Sequence, residues 1–245
     1  MRIAAISDIH GNLAALDVVL ADIRARDVDV TVNLGDMLSG PLEPAATADL
    51  LMSLNLPSIR GNHERQLLGG DVEKMGKSDR HAHGAMRAEH FAWIRSLPAT
   101  LALSDEVFLC HGTPADDLTY FLEEVDETGS HAASKAKVAE RAGAVAASLI
   151  LCGHSHLPRE VRLPDGRLIV NAGSVGLQAY DWDVPHFHKH ENGTPHTRYV
   201  LIDNTPKGWR AEFIALEYDW EAAARVADAH ARPDWSVALR RGFAE

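Results

Sequence analysis

The sequence predicts an α/β fold in which two β-sheets pack face to face and helices cover their outer sides. In the first 64 residues, apolar runs of strand length alternate with helical patterns, which is typical of βαβ units. In the second half, strand-type runs predominate, and turn dipeptides such as Asp165-Gly166 indicate hairpins between them. A length of 245 residues is enough for one domain over 1–245 with a sizeable core.

The front half supplies the alternating elements. In order, they are a strand at 2–7, a helix at 13–26, a strand at 29–34, a helix at about 44–55 and a short strand that ends at Arg60. Apolar residues recur at helical spacing from Leu13 to Ile23, and Asn12 is positioned as the N-cap of that helix. Pro44 suits the first turn of the next helix, because the amide hydrogen it lacks has no intrahelical partner there.

The second half combines strands with two less regular segments. Strand-type runs occur at 100–104, 107–111, 149–153, 167–171, 198–203 and 210–216. Residues 67–98 are polar and carry mixed charge, so we expect a cap-like insertion that ends in an aromatic helix. Residues 219–245 predict a C-terminal helical covering, with a helix from Asp219 to about Ala231.

The composition narrows the function classes. Lys and Arg number 24 against 35 Asp and Glu, so the formal net charge of −11 disfavours broad binding to nucleic acid. No apolar stretch has the length of a membrane span, and the N-terminus lacks the pattern of a secretory signal. Cys110 and Cys152 are the only cysteines, which suits a cytoplasmic protein. The favoured interpretation is that both cysteines are buried thiols that fill the core. The alternative is that they act as a soft metal ligand or as a redox pair.

Five short segments, each at the end of an apolar run, carry the side chains that bind metals. They contain Asp8, His10, Asp36, Asn62, His63, Glu64, His111, His154 and His156. The loops that follow the carboxyl ends of strands converge on one edge of an α/β sheet, so these segments are predicted to be neighbours. Oxygen and imidazole donors suit divalent ions such as Mn, Fe, Zn or Ni without a thiolate.

The residue types and their order resemble the calcineurin-like metallophosphoesterases. The matching motifs span residues 8–156, and residues 171–176 are similar to a segment of the small bacterial phosphodiesterase-like branch. The resemblance implies a four-layer αββα sandwich with two mixed sheets, of the metallo-dependent phosphatase-like type. It also implies a cofactor of two divalent metal ions, with Mn expected and Fe, Zn and Ni accepted by the same donors.

The resemblance assigns roles to individual residues. Asp8, His10 and His156 would hold the first ion, Asn62, His111 and His154 the second, and Asp36 would bridge the two. His63, which is not assigned as a ligand, resembles the family's general acid, with Glu64 placed to orient or tune its imidazole.

The implied reaction is hydrolysis of a small phosphoester, with a metal-bridging hydroxide as the in-line nucleophile. A phosphodiesterase is favoured, because the chain is most similar to that branch and few cationic residues lie near the motifs. Phosphomonoesterase, Ser/Thr protein phosphatase and dinucleoside-polyphosphate hydrolase are the alternatives. Residues 35–41 lack the Arg that protein phosphatases carry after the bridging Asp. A metal-binding scaffold without catalysis is the non-enzymatic alternative.

Several residues have two interpretations at this stage. Asn12 either contacts phosphate or only caps its helix. Arg60 either binds phosphate or forms an ion pair. Ser174 lies in a turn that either approaches the site or only connects strands. The run that contains His186, His188 and His190 is favoured as an exposed hairpin edge, with a third metal site or a substrate rim as the alternative. Tyr180 and Trp182 line the substrate mouth or only pack the loop.

Overall fold

The computed structural model describes all 245 residues, which form thirteen strands, eight α-helices and one 3₁₀ turn. The strands are β1 (Arg2–Ile6), β2 (Val30–Asn33), β3 (Leu101–Ser104), β4 (Val107–Leu109), β5 (Glu123–Asp126), β6 (Gly129–Ala132), β7 (Leu149–Cys152), β8 (Arg159–Arg162), β9 (Leu168–Asn171), β10 (Ala179–Trp182), β11 (His188–Glu191), β12 (Thr197–Thr205) and β13 (Gly208–Leu216). The helices are α1 (Leu13–Arg24), α2 (Pro44–Leu54), α3 (Asn62–Leu68), α4 (Lys77–Ala85), α5 (Ala88–Ser96), α6 (Lys135–Ala142), α7 (Trp220–Ala229) and α8 (Pro233–Arg241), and the 3₁₀ turn is Val72–Lys74.

Two mixed sheets form the centre of the molecule. The first has the strand order β13-β12-β1-β2, in which only β1 and β2 are parallel. The second has the order β3-β4-β7-β9-β8, with β4, β7 and β9 parallel and an antiparallel strand at each edge. Two short hairpins, β5–β6 and β10–β11, lie outside these sheets.

Side-chain alternation along the strands produces four layers. In β1, Ile3 packs into a cluster of 15 buried residues between the two sheets, whereas Ala4 belongs to a 29-residue cluster beneath the helices. In β7, Leu151 faces the core between the sheets and Ile150 faces a third cluster, which contains Val138 of α6. Because neighbouring residues of a strand point to opposite faces, each central strand is buried on both sides. The predicted αββα sandwich is confirmed.

The predicted hairpin at Asp165-Gly166 joins β8 to β9, and Gly166 has the positive φ that such a turn favours. The predicted C-terminal covering consists of α7 and α8. The segment predicted as a cap-like insertion contains the 3₁₀ turn, α4 and α5. The β5–β6 hairpin, β8, α3 and α6 were not predicted. The prediction of a short strand ending at Arg60 was wrong, because Ser58 makes only an isolated bridge with Asn33 there.

Cys110 and Cys152 are free thiols without solvent exposure. Burial raises the pKa of both thiols, because a thiolate has no solvation in the core. They therefore fill space at the ends of β4 and β7, as favoured from the sequence. None of the helices combines the length and the apolar content that crossing a membrane requires.

We expect Leu151→Ala to lower the free energy of unfolding by about 3 kcal/mol, because it removes a fully buried side chain from between the sheets. Urea-induced unfolding would measure the change. Leu118→Ala is the matched control: Leu118 is 55 % exposed, and a change below about 0.5 kcal/mol is expected. Equal losses in the two variants would contradict this description of the core.

Candidate metal centre

The loops that follow β1, β2, β4 and β7 meet at one edge of the two sheets. Backbone hydrogen bonds hold them together: the Asp8 amide donates to Gly35 O, the His10 amide to Asp36 O and the Gly153 amide to His111 O. The first two of these bonds are 3.0 Å long and the third is 2.9 Å. Segments that are distant in sequence therefore form one rigid surface, as the motif positions predict.

The backbone at this edge is strained where the candidate ligands lie. Eight residues other than glycine have a positive φ. Five of them are candidate ligands: Asp8, His10, Asp36, His154 and His156. A left-handed conformation costs a non-glycine residue on the order of 1–3 kcal/mol and persists only where the surroundings enforce it. Such strain is typical of functional sites.

Two glycines allow the ligand loops to approach each other closely. A Cβ at Gly61 would overlap the Asp36 carboxylate, and a Cβ at Gly153 would overlap the Ser7 hydroxyl. The glycines in these motifs are therefore required by contact with a neighbouring loop, and any side chain would displace an adjacent ligand.

The first ligand cluster consists of Asp8, His10 and His156, all buried, with ligand atoms within 4.8 Å of one another. His10 Nε2 lies 3.1 Å from His156 Nε2, which in turn lies 3.4 Å from Asp8 Oδ1. The other nitrogens of the two rings face backbone carbonyls: His10 Nδ1 lies 2.7 Å from Ser39 O, and His156 Nδ1 lies 2.7 Å from Leu177 O. Each Nδ1 therefore carries a hydrogen, and in the neutral ring each Nε2 presents a lone pair.

This cluster fits a cation. Two lone pairs and a carboxylate that face each other repel unless a positive charge lies between them. Asp8 Oδ1 is buried and has no hydrogen-bond partner, which is unusual for a polar atom in a protein interior. Donors that bind a divalent ion at about 2.0–2.2 Å lie about 3–3.5 Å from each other. Two of the three separations here, 3.1 and 3.4 Å, fall in that range, and His10 Nε2 lies 4.0 Å from Asp8 Oδ1.

The second cluster consists of Asp36, His111 and His154. His111 Nε2 lies 3.1 Å from Asp36 Oδ2 and 3.1 Å from Asn62 Oδ1, while His111 Nδ1 lies 2.8 Å from Leu34 O. His154 has the opposite tautomer, because its Nε2 lies 2.9 Å from Leu118 O and Nδ1 is left as the ligand atom. The two clusters adjoin, with 4.0 Å between His111 Nε2 and Asp8 Oδ1.

Burial and nearby negative charge shift the pKa values of the candidate ligand histidines in opposite directions. Burial lowers the pKa of His10 to about 3 and that of His154 to about 4, so both rings are neutral, which is the form that binds metals. At His111, burial acts in the same direction, but the negative charge of Asp36 outweighs it and raises the pKa to about 10. A metal ion at the second cluster would therefore displace a proton from His111.

His63 lies beside the second cluster and has a partner that the sequence did not reveal. Its Nδ1 is 2.8 Å from Asp79 Oδ1, and its Nε2 is 4.0 Å from Asp36 Oδ2. Burial opposes protonation of the ring, but the charges of Asp36 and Asp79 raise the pKa of His63 to about 9. Asp79 lies on α4, in the segment predicted only as a polar insertion, where no local pattern distinguishes it from its charged neighbours.

The family model described as the calcineurin-like phosphoesterase superfamily domain matches residues 1–187. The chain belongs to this family. Members are metal-dependent phosphoester hydrolases, which agrees with the donor types in the two clusters.

A relative of similar length is the uncharacterized protein MJ0912 of Methanocaldococcus jannaschii. It is 26 % identical over 247 residues, which cover 95 % of this chain and 94 % of the relative. The crystal structure of a metallophosphoesterase from Sphaerobacter thermophilus has a similar fold, with a TM-score of 0.74, 24 % identity and 98 % coverage of both chains.

Glu64, predicted to orient or tune the general acid of this phosphoesterase site, has no contact with the His63 ring and acts on it only through its charge, which contributes to the raised pKa of His63. Its carboxylate accepts hydrogen bonds from the amides of Asp36 and Met37, both at 2.8 Å, and of Gly61 at 3.0 Å. The side chain therefore joins the loop after β2 to the start of α3. Asp79, and not Glu64, is the carboxylate that contacts the His63 ring.

The proposed substrate contacts mostly have other roles. Asn12 caps α1, since its Oδ1 accepts from the Ala15 amide at 3.2 Å, and its Nδ2 donates to Gly176 O at 2.9 Å. Ser174 is fully buried and donates to Asp8 O at 2.8 Å. Both side chains stabilise the loops of the phosphoesterase site from within. Arg60, the third predicted substrate contact, is half-buried.

The histidines after Pro185 are not an exposed edge. His186 is exposed, but His188 and His190 are 2 % and 1 % exposed, so the favoured interpretation was wrong for these two. Their four ring nitrogens all have protein partners within 2.9 Å: His186 O, Tyr120 Oη, Tyr180 Oη and Ser130 Oγ. No nitrogen is left for a third metal. The residues that bury them come from segments without a strand prediction.

We expect Glu64→Gln to lower the free energy of unfolding by about 2 kcal/mol, because one of the two oxygens that accept backbone amides becomes an amide donor. Urea-induced unfolding measures this change, and Glu73→Gln, at an exposed position on the 3₁₀ turn, is the control. A Glu64→Gln variant with unchanged stability and reduced turnover would instead support the role predicted from the sequence.

Proposed function

We propose that this chain is a dinuclear metal-dependent phosphoesterase that hydrolyses phosphodiesters. The observation that carries the proposal is the arrangement of two adjoining ligand clusters with one histidine, His63, beside them and outside both. Two clusters suit two ions, and a histidine that is not a ligand remains free to transfer a proton.

In this proposal Asp8, His10 and His156 hold one ion, Asn62, His111 and His154 hold the other, and Asp36 is shared. When bound, the ions supply Lewis-acid charge that stabilises the phosphoryl oxygens and lowers the pKa of water. The carbonyls of Ser39, Leu34 and Leu177 keep the rings of His10, His111 and His156 in the tautomer that leaves Nε2 as the ligand atom.

His63 is suited to protonate the leaving oxygen. Asp79 accepts a hydrogen bond from Nδ1, so the proton on Nε2 is the one directed toward the Asp36 side of the site. The His63 side chain is 28 % exposed, whereas the rings of the ligands His10 and His156 are 5 % exposed. A substrate can therefore reach His63. Without bound ions, burial lowers the pKa of His63, but the charges of Asp36 and Asp79 outweigh burial and raise this pKa to about 9. The contact with Asp79 favours the charged ring that a proton donor requires.

The cationic residues near the motifs support a diester over a monoester. A monoester carries additional charge on its terminal oxygens, and sites for it tend to surround these oxygens with cationic donors. Arg65, which follows Glu64 on α3, is engaged in a bidentate ion pair with Asp117 at 2.7 and 2.8 Å. Its charge is compensated, so Arg65 is not free to neutralise the terminal oxygens of a monoester.

The first test is a comparison of aryl phosphodiesters and aryl phosphomonoesters, together with cyclic nucleotides, dinucleoside polyphosphates and phosphopeptides, each with Mn, Fe, Ni and Zn. We expect the highest kcat/KM for a diester. A preference for monoesters or phosphopeptides would overturn the assignment of the diester. Bound metal without turnover of any phosphoester would instead favour the metal-binding scaffold.

We expect His63→Ala to lower kcat by about 100-fold to 10,000-fold on a diester with an alkoxide leaving group. The loss should be smaller with an activated aryl leaving group, which departs without a proton. Elemental analysis should find the wild-type metal content, since His63 is not a ligand in this proposal. His83→Ala, on the same helix as Asp79, is the control and should leave kcat and metal content unchanged. Loss of metal from His63→Ala would make this residue a ligand.

A further inference from the structure

The β10–β11 hairpin lies against the loop that carries His154 and His156. In the hairpin, Tyr180 pairs with His190, and the strand register continues to Ala179 opposite Glu191. Asn192 follows directly. Neither Tyr180 nor Asn192 belongs to a ligand cluster, yet both contact the backbone of the ligand loop.

Both ligand residues of that loop have a left-handed backbone, with φ of 68° at His154 and 60° at His156. The hairpin segment supplies a hydrogen-bond donor to the carbonyl of each. Tyr180 Oη lies 3.2 Å from His154 O, and Asn192 Nδ2 lies 3.0 Å from His156 O. A strained backbone conformation persists only where its surroundings enforce it, so these two hydrogen bonds help to stabilise the left-handed conformations of His154 and His156.

The rings of two tyrosines also restrict the two imidazoles. Tyr120 stacks on His154 with 4.8 Å between ring centroids and 29° between ring planes. Tyr180 meets His156 edge to face, also at 4.8 Å. Each cluster therefore has one ligand whose ring orientation is fixed by an aromatic neighbour.

A directed hydrogen-bond chain fixes the Tyr180 hydroxyl. His188 Nδ1 donates to His186 O, so its Nε2 accepts from Tyr120 Oη at 2.9 Å. The single hydrogen of Tyr180 is shared between two acceptors, the Tyr120 oxygen at 3.1 Å and the His154 carbonyl at 3.2 Å. His190 Nδ1 must therefore donate to Tyr180, at 2.8 Å, while its Nε2 accepts from Ser130 Oγ. In this arrangement each hydroxyl and imidazole has a complementary partner.

We propose that Tyr180 and Asn192 are positioning residues that hold His154 and His156 in the geometry required for metal binding. The inference rests on the ligand assignment of the proposed function. Partners of metal ligands commonly change affinity by 10-fold to 100-fold when they are removed. Tyr180 contacts His154 of the second cluster, and Asn192 contacts His156 of the first. The hairpin segment therefore affects the binding of both ions.

The test is a titration of chelator-treated protein with Mn alone, measured calorimetrically, for wild-type, Tyr180→Phe and Asn192→Ala. We expect the Kd for Mn to rise about 10-fold in each variant, because each removes one donor from a strained ligand peptide. Thermal unfolding with and without Mn provides a second readout. A positioning role predicts a smaller increase of Tm by Mn in the variants, whereas a purely structural role lowers both Tm values equally.

Tyr199→Phe is the matched control. Tyr199 is fully buried on β12, and its hydroxyl donates to Asp22, away from the hairpin. It should lower the Tm of the metal-free protein and leave the Kd for Mn unchanged. An unchanged Kd in Tyr180→Phe, or an equal rise in Tyr199→Phe, would overturn the inference. If Tyr180→Phe does not fold, the Kd for Mn of Asn192→Ala is the measurement that tests the inference. A wild-type protein that binds neither Mn nor another divalent ion would overturn the proposed function, and this inference with it.

Discussion

The structure depends on one electrostatic constraint: side chains with electron pairs are held facing one another in a buried space. His10 and His156 present their Nε2 atoms to each other at 3.1 Å, and a carboxylate oxygen without a hydrogen-bond partner lies beside them. Such an arrangement is unfavourable without a cation. The left-handed backbone of five candidate ligands and the close glycine contacts serve to maintain it.

The two sheets provide the rigid support for this constraint. Their central strands are buried on both faces, so the loops at their carboxyl ends begin from fixed positions. Glu64 then joins the loop after β2 to the start of α3 through three backbone amides, and Ser174 ties another segment to Asp8 O. Polar residues that belong to the motifs thus act in part as structural links, and the motif side chains without such a role are the candidate ligands and His63.

Much of the fold and of the ligand set could be predicted from the sequence, for a physical reason. Each ligand motif directly follows an apolar run, so the position of one predicts the position of the other. Asp79 could not be predicted, because its contact with His63 depends on how α4 packs and not on any local pattern. The burial of His188 and His190 likewise depends on Tyr120 and Ser130, which lie in segments without a predicted strand. The position of Asp79 beside His63 and the burial of His188 and His190 thus both depend on contacts between segments that are distant in sequence.

The central claim is that two ions occupy adjoining positions formed by seven named residues. The most direct measurement is an anomalous difference map from crystals of the Mn-loaded protein, with data collected at the Mn absorption edge. The account predicts two neighbouring peaks, one among Asp8, His10 and His156 and one among Asp36, Asn62, His111 and His154, with none at His63. A single peak, or a peak coordinated by His63 or by the His188–His190 pair, would contradict it.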